Sequence, residues 1–241
     1  MHSATLFADT RLEDIHHRLL THYGPPEPRE LWDPLTQMIY SMLSSRTKTP
    51  VSHAVLAALR KRFGTWESLR DASIPEIEDT IRPVTFPEPK AINLKTALVS
   101  ITARCGSLDL SFLARYRTEK IRKWLEAFDG VGVKTSAAVV NFSTLRRRAM
   151  CVDSHHLRII QRLGFVNKSA TAREAETRIM EMAPEAWSAA VLDDHHSLIK
   201  LHGQKCCTKN DPLCSRCPLR DICPIGLCGF SSSSNMANLA K

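Results

Sequence analysis

Four cysteines near the C-terminus, Cys207, Cys214, Cys217 and Cys223, are spaced C-x6-C-x2-C-x5-C. Four thiolates in so short a stretch can converge on one centre, and four sulfur ligands suit either tetrahedral zinc or an iron-sulfur cluster. Zinc sites usually pair two C-x2-4-C arms; only one arm here has that form, so spacing leaves both metals open. Cys206 and Cys228 are spare thiols, and Cys206 is placed to replace Cys207 by a one-residue shift. The remaining two of the 8 cysteines, Cys105 and Cys151, stand alone. Reduced cytosolic thiols make metal ligation a better first reading than disulfides.

A second constellation is Phe128-Asp129-Gly130-Val131-Gly132-Val133-Lys134. An amphipathic helix carrying Ile121, Trp124, Leu125 and Phe128 meets a two-glycine turn, and a helix of small residues follows. Gly130 and Gly132 allow positive φ and close approach, so Gly130, Val131 and Gly132 can present backbone N–H groups to a phosphate. Such a helix-hairpin-helix contact positions DNA and does not read bases. Lys134 falls in the first turn of the second helix, near the positive end of the macrodipole, which disfavours its ammonium form. A neutral lysine is a nucleophile toward an electrophilic carbon such as C1′ of a deoxynucleotide losing its base; a solvated or phosphate-binding role remains open on residue type alone.

Nineteen residues on, Asp153 opens the next helix in Val152-Asp153-Ser154-His155-His156. It is a natural N-cap, and it is also a carboxylate able to stabilise an oxocarbenium-like charge and take part in proton transfer. Spacing does not separate these roles. The run Arg146-Arg147-Arg148 reads as a solvated face that adds to a DNA-facing potential.

The elements that must position these groups are helices. Apolar stripes at helical spacing mark an N-terminal helix through Leu12, Ile15 and Leu19, a second from Asp33-Pro34, and a third from Thr49-Pro50 to Gly64. Short helices are expected at 66–72 and 75–81, a proline-rich loop at 83–89, and then a helix through Ile92, Leu98 and Ile101. Later helices are expected at 119–128, 133–142, 153–163, 171–182 and 185–202. No segment alternates, there is no internal repeat, and 9 glycines in 241 residues are few for a sandwich or barrel, so the fold class is all-α. Hydrophobic content of 43% supports a real core, and 33 basic against 25 acidic side chains give +8, which suits a polyanion. The longest apolar runs, such as 54–59, fall short of the roughly 18 to 20 residues a membrane span needs. The start MHSATLFADTRLED lacks the apolar core of a signal peptide, so a cytoplasmic, nucleoid-associated location is expected. The polar tail 229–241, with Ser231 to Asn235 at its centre, is expected to be disordered.

Together, Gly130-Val-Gly-Val-Lys-Thr, Val152-Asp-Ser-His, His195-His196 leading to His202-Gly203, and the closing cysteine set resemble endonuclease III, a DNA glycosylase family of the helix-hairpin-helix superfamily. The similarity runs in order from Leu43-Ser44-Ser45 to Cys223. The resemblance implies a six-helix domain over 30–143 and a cluster domain built from 1–29 and 144–228, with double-stranded DNA in the cleft between them. It implies a [4Fe-4S] cluster on Cys207, Cys214, Cys217 and Cys223, Lys134 as the Schiff-base nucleophile and Asp153 as the catalytic carboxylate. A monomer acting on damaged bases or abasic sites is expected. A base inside a duplex must be flipped out, and a damaged base costs less to unstack. Attack by Lys134 would then permit β-elimination, making the enzyme both glycosylase and lyase. Lys205, Lys209, Arg216 and Arg220 around the cysteines would track phosphates.

Several positions depart from the family. Phe128-Asp129-Gly130 stands where the family usually has Leu-Pro-Gly, and Val133 where it has a basic residue. Arg46, in Ser44-Ser45-Arg46-Thr47-Lys48, aligns with a glutamine that fills the gap left by a flipped base, and Thr85-Phe86-Pro87-Glu88-Pro89 with a wedge loop. Ser45, Arg46, Lys48 and Phe86 are therefore expected to contact DNA. Phe86 as a core residue beneath its loop is the competing reading. Two other functions remain: a monofunctional mismatch or alkylated-base glycosylase, whose relatives typically lack the lysine, and a non-catalytic DNA-binding module, which needs neither Lys134 nor Asp153.

Overall fold

The structure, a computed structural model, describes residues 10–227; the tail 229–241 and Cys228 lie outside the described residues. The chain is all-α: among the described residues the regular elements are helices, with one isolated bridge between Trp32 and Ser143. Helix α1 (Arg11–Tyr23) stops at Gly24, whose φ of +78° only glycine adopts freely. Helix α2 (Pro34–Leu43) starts where Asp33 accepts from the Thr36 N–H and Pro34 fills the first position. Helix α3 (Thr49–Phe63) ends at Gly64, α4 (Trp66–Asp71) is capped by Thr65, and α5 (Ile74–Ile81) opens on a Ser73–Glu76 capping box.

Helix α6 runs Pro87–Cys105, so the proline-rich loop ends at Phe86 and not at Pro89. Pro87 and Pro89 sit in the first turn, where a missing N–H costs no intrahelical bond. A 3-10 turn at Ser111–Arg115 precedes α7 (Thr118–Leu125) and α8 (Val133–Phe142). Helix α9 (Ser154–Arg162) is capped by Asp153, and α10 (Ala172–Met182) by a Thr171–Glu174 box. Helix α11 covers Ala189–Lys205, starting and ending later than its apolar spacing suggests. Its start is delayed because Pro184–Trp187 closes a turn, after which the Ser188 hydroxyl accepts from the Val191 N–H. Two 3-10 turns, Cys214–Arg216 and Arg220–Ile222, lead to α12 (Pro224–Leu227).

The described chain forms two compact units. One comprises 28–151 with 188–193. All ten residues of α2 are buried in it, its polar Gln37 donating to Ser41 Oγ at 2.9 Å within the helix, and α8 packs against α2. Asp193 belongs to this unit because Arg29 and Arg146 each reach its carboxylate at 2.8 Å, holding the start of α11 there. The second unit comprises 10–27, 152–187 and 194–227. Its core joins Ile15 and Leu19 of α1 to Ile159 of α9, Leu198 and Ile199 of α11, and Leu219.

Candidate active site and metal centre

In the first unit, the α7–turn–α8 hairpin is shaped by Gly130. Its φ is +78°, and a Cβ there would come within 2.9 Å of Asn93 Cβ and 3.0 Å of Met42 Cε. Gly132 is different: φ −95° and ψ −175° are ordinary extended backbone, nothing lies within 4 Å of an added Cβ, and it acts as the N-cap of α8. Only Gly130 uses positive φ. Val131 is a correction to the expected phosphate cradle, since its side chain is buried and its N–H donates to Phe128 O at 3.1 Å. What remains available to an anion is the first turn of α8, whose N–H groups have no partner within the helix. The hairpin is cross-braced: Arg122 Nε donates to Ser136 Oγ at 3.2 Å, which donates to Glu126 Oε1 at 2.6 Å.

Lys134 occupies the second position of α8 and is half-buried. Its carbonyl accepts from the Cys151 thiol at 3.6 Å. Beside it is a lysine that sequence reasoning missed. Lys90, in the first turn of α6, donates to Leu43 O at 2.7 Å, Ser45 O at 2.8 Å and Thr47 Oγ1 at 3.1 Å. Burial, with the like charge of Lys134 added, pushes its ammonium down to about 8. Nothing in its spacing marks Lys90 out, because its acceptors lie more than 40 residues earlier in the chain.

The loop that Lys90 ties down carries Ser45, Arg46 and Lys48, all exposed. Thr85 joins it to the next loop, donating through Oγ1 to Arg46 O at 2.9 Å and through N to Thr47 Oγ1 at 3.1 Å. Arg46 and Phe86 both hold left-handed backbone, φ 56° and 58°. The Arg46 guanidinium carbon stands 5.9 Å over the Phe86 ring. At 56% exposure Phe86 is not a core residue, and Arg46 is its neighbour. The arginine run also departs from expectation. Arg146 bonds Asn141 O and Asp193, Arg147 reaches Ala114 O, and all three residues are half-buried, so the run braces the fold. Adjacent arginines read as solvated only when the chain leaves them no internal carbonyls.

In the second unit, Asp153 caps α9 by accepting from the His156 N–H at 2.9 Å. Burial alone would raise its carboxyl; the charges of His196, His156 and His155 and the His156 N–H outweigh this and hold it at about 2. The far end of α9 grips the cysteine loop. Arg158 donates to Cys207 O and Gly203 O, both at 2.8 Å, and Arg162 Nη1 lies 3.1 Å from Cys207 Sγ. Neither arginine stood out in the sequence, although their i, i+4 spacing places both on one face of α9.

Cys207, Cys214, Cys217 and Cys223 line one cavity, together with Cys206 and the apolar side chains of Leu213 and Ile225. Leu219 N–H donates to Cys217 Sγ at 3.4 Å, so Cys217 and Cys207 both receive the N–H···S bonds that ligating thiolates accept. Tetrahedral zinc would draw its sulfurs to about 3.8 Å from one another, given Zn–S near 2.3 Å. Among the described residues, the group of three or more ligand atoms within 4.8 Å of one another is His202, Cys206 and Cys217, and the four-cysteine set is not so drawn together. Four cysteine thiols around one shared cavity fit a sulfur-ligated metal centre, an iron-sulfur cluster included. Lys205, Lys209, Arg216 and Arg220 are exposed around the cavity.

Residues 39–185 match the family described as the HhH-GPD superfamily of base excision DNA repair proteins. Endonuclease III of Sulfolobus acidocaldarius is 32% identical over 188 residues, covering 77% of this chain and 79% of that protein. Rice protein ROS1A is 31% identical over 70% of this chain, and Arabidopsis DNA glycosylase/AP lyase ROS1 is 28% identical over 70%. The chain spans only 9% and 13% of those two plant proteins. In fold, a trapped endonuclease III–DNA covalent intermediate superposes with TM-score 0.75 at 21% identity, covering 92% of this chain and 98% of that one.

Proposed function

Since the chain belongs to the HhH-GPD superfamily of base excision repair DNA glycosylases, in its endonuclease III family, we propose that it is a bifunctional glycosylase and abasic-site lyase that removes oxidised pyrimidines from double-stranded DNA. The observation that carries this is Lys134 itself: an amine in the first turn of α8, directly after the glycine turn of the hairpin. A hairpin that only gripped phosphate would not need a half-buried amine at that place. The name DNA glycosylase/AP lyase borne by its Arabidopsis relative ROS1 supports the lyase half.

The first turn of α8 holds a phosphate and sets the register of the duplex. With the damaged nucleotide flipped out, the lone pair of the Lys134 amine attacks C1′, the N-glycosidic bond breaks, and the base departs with the proton that the new ammonium gives up. The carboxylate of Asp153, ionised down to about pH 2, opposes the positive charge that develops on the sugar. The C1′–O4′ bond of the sugar ring then opens, O4′ taking a proton as nitrogen and C1′ form an iminium; loss of a C2′ proton then breaks the C3′–O bond, the phosphate leaves with that bond's electrons, and the strand is nicked. Cys207, Cys214, Cys217 and Cys223 would hold a [4Fe-4S] cluster, whose four thiolate bonds would tie the C-terminal loop and its basic surface together.

A panel of duplexes, each with one oxidised pyrimidine, one alkylated base or one mismatch, tests this reading. Strand nicking without alkali on the oxidised pyrimidines is expected. Base release that needs alkali for nicking on every substrate identifies a monofunctional enzyme instead.

A further inference from the structure

We propose that His202, Cys206 and Cys217 form a separate mononuclear site for zinc, sharing Cys217 with the four-cysteine set and therefore filled only when the cluster is not. The proposal rests on the cluster reading solely through that shared ligand. Cys206 is the one thiol of the cavity that the cluster set leaves without a task. Its sulfur, the His202 ring nitrogen and Cys217 Sγ all lie within 4.8 Å of one another, and His202 and Cys206 are 1% and 6% exposed. Ligands of one tetrahedral zinc stand somewhat under about 4 Å apart, so closure around the ion takes only side-chain adjustment.

The orientation of His202 supplies the second argument. Its Nδ1 is 2.9 Å from the Tyr23 hydroxyl, which leaves Nε2 turned toward Cys217 Sγ at 3.6 Å. A zinc-bound imidazole donates its other N–H to a fixed acceptor, and Tyr23 stands where that acceptor belongs. Two thiolates with one imidazole select a soft or borderline cation over magnesium or calcium. On binding, Cys206 and Cys217 each release one proton and His202 enters neutral. Zn²⁺ with two thiolates carries no net charge, so the filled site avoids burying an unbalanced ion. Three protein ligands leave the fourth tetrahedral position to water.

The test uses the full chain produced in iron-depleted, zinc-supplemented medium, with elemental analysis and zinc X-ray absorption. One zinc per chain is expected, in a shell of two sulfurs and two nitrogen or oxygen atoms. Cys206→Ser should weaken zinc retention against a competing chelator by more than the roughly 10-fold that even an outer partner costs. Cys207→Ser, which removes only a cluster ligand, should retain zinc. Cys206→Ser from iron-replete cells should still be brown and carry iron, showing an intact fold. A shell of four sulfurs, no zinc uptake, or unchanged retention by Cys206→Ser overturns the proposal. Failure of the cluster reading is distinct: wild-type protein from iron-replete cells would lack iron while the zinc results stood.

Discussion

The guanidinium of Arg46 lies 5.9 Å over the ring of Phe86, on two loops pinned to each other by Thr85, and each residue keeps a left-handed backbone that non-glycine residues avoid. Such conformations cost on the order of 1 to 3 kcal/mol each and persist where the surroundings enforce them. An exposed aromatic on an enforced backbone is suited to entering a duplex and recovering about 1 to 3 kcal/mol of stacking per base.

Phe86→Ala should therefore lower base flipping, read by 2-aminopurine fluorescence beside the lesion, roughly 5- to 100-fold, with little change in Tm. Arg46→Gln should weaken a preference for damage opposite guanine, whose acceptor-rich edge suits arginine. Normal flipping by Phe86→Ala, or an unchanged opposite-base profile in Arg46→Gln, removes this role.

Lys90 holds the same loop from beneath through three oxygen acceptors. Lys90→Met keeps the apolar stem but strands those acceptors, at a cost of about 1 to 3 kcal/mol for each one that water does not reach. A lower Tm and a larger loss in turnover than in binding to undamaged duplex are expected. A Tm equal to wild type would show that the loop is held by Thr85 alone.

The starts of α6 at Pro87 and α11 at Ala189 were not legible in the sequence, whereas the boundaries at Gly24, Asp33-Pro34 and Gly64 were, because caps and breakers act within a few residues. The cysteine set and the Lys134 turn were legible for the same reason. Lys90, Arg158 and Arg162 were not, since their partners are distant in sequence and each lysine or arginine taken alone resembles a solvated one. Val131 and the arginine run 146–148 misled because apolar burial and internal carbonyl partners are decided by packing and leave no local pattern.

Asp153→Asn separates catalysis from capping, because asparagine caps a helix as well as aspartate. Turnover should fall by orders of magnitude while DNA binding stays near wild type, and Tm should fall only by the stabilisation that the charge adds beyond the cap. The folded carboxyl sits at about 2, below its usual 3.8. Its ionised form thus contributes fully above 3.8 and is lost only as pH falls through about 2. Protonation of Asp153 then sets no part of the rate between about pH 5 and 8, and any acid limb there should persist in the residual activity of Asp153→Asn. Disappearance of that limb in the variant would contradict the assignment.

Protein from iron-replete cells should be brown, absorb broadly near about 400 nm and contain iron. Cys214→Ser should lose the colour and destabilise the C-terminal loop, whereas Cys228→Ser should keep both. One zinc and no iron in the wild-type protein under these conditions would rule out the cluster.

The central claim is that Lys134 forms the covalent bond to DNA, and borohydride reduction on a duplex with one abasic site tests it most directly. Wild-type protein should be trapped on the DNA as a stable adduct and nick the strand without alkali, and Lys134→Ala should do neither while still binding the duplex. Trapping by Lys134→Ala at the wild-type level would contradict the account.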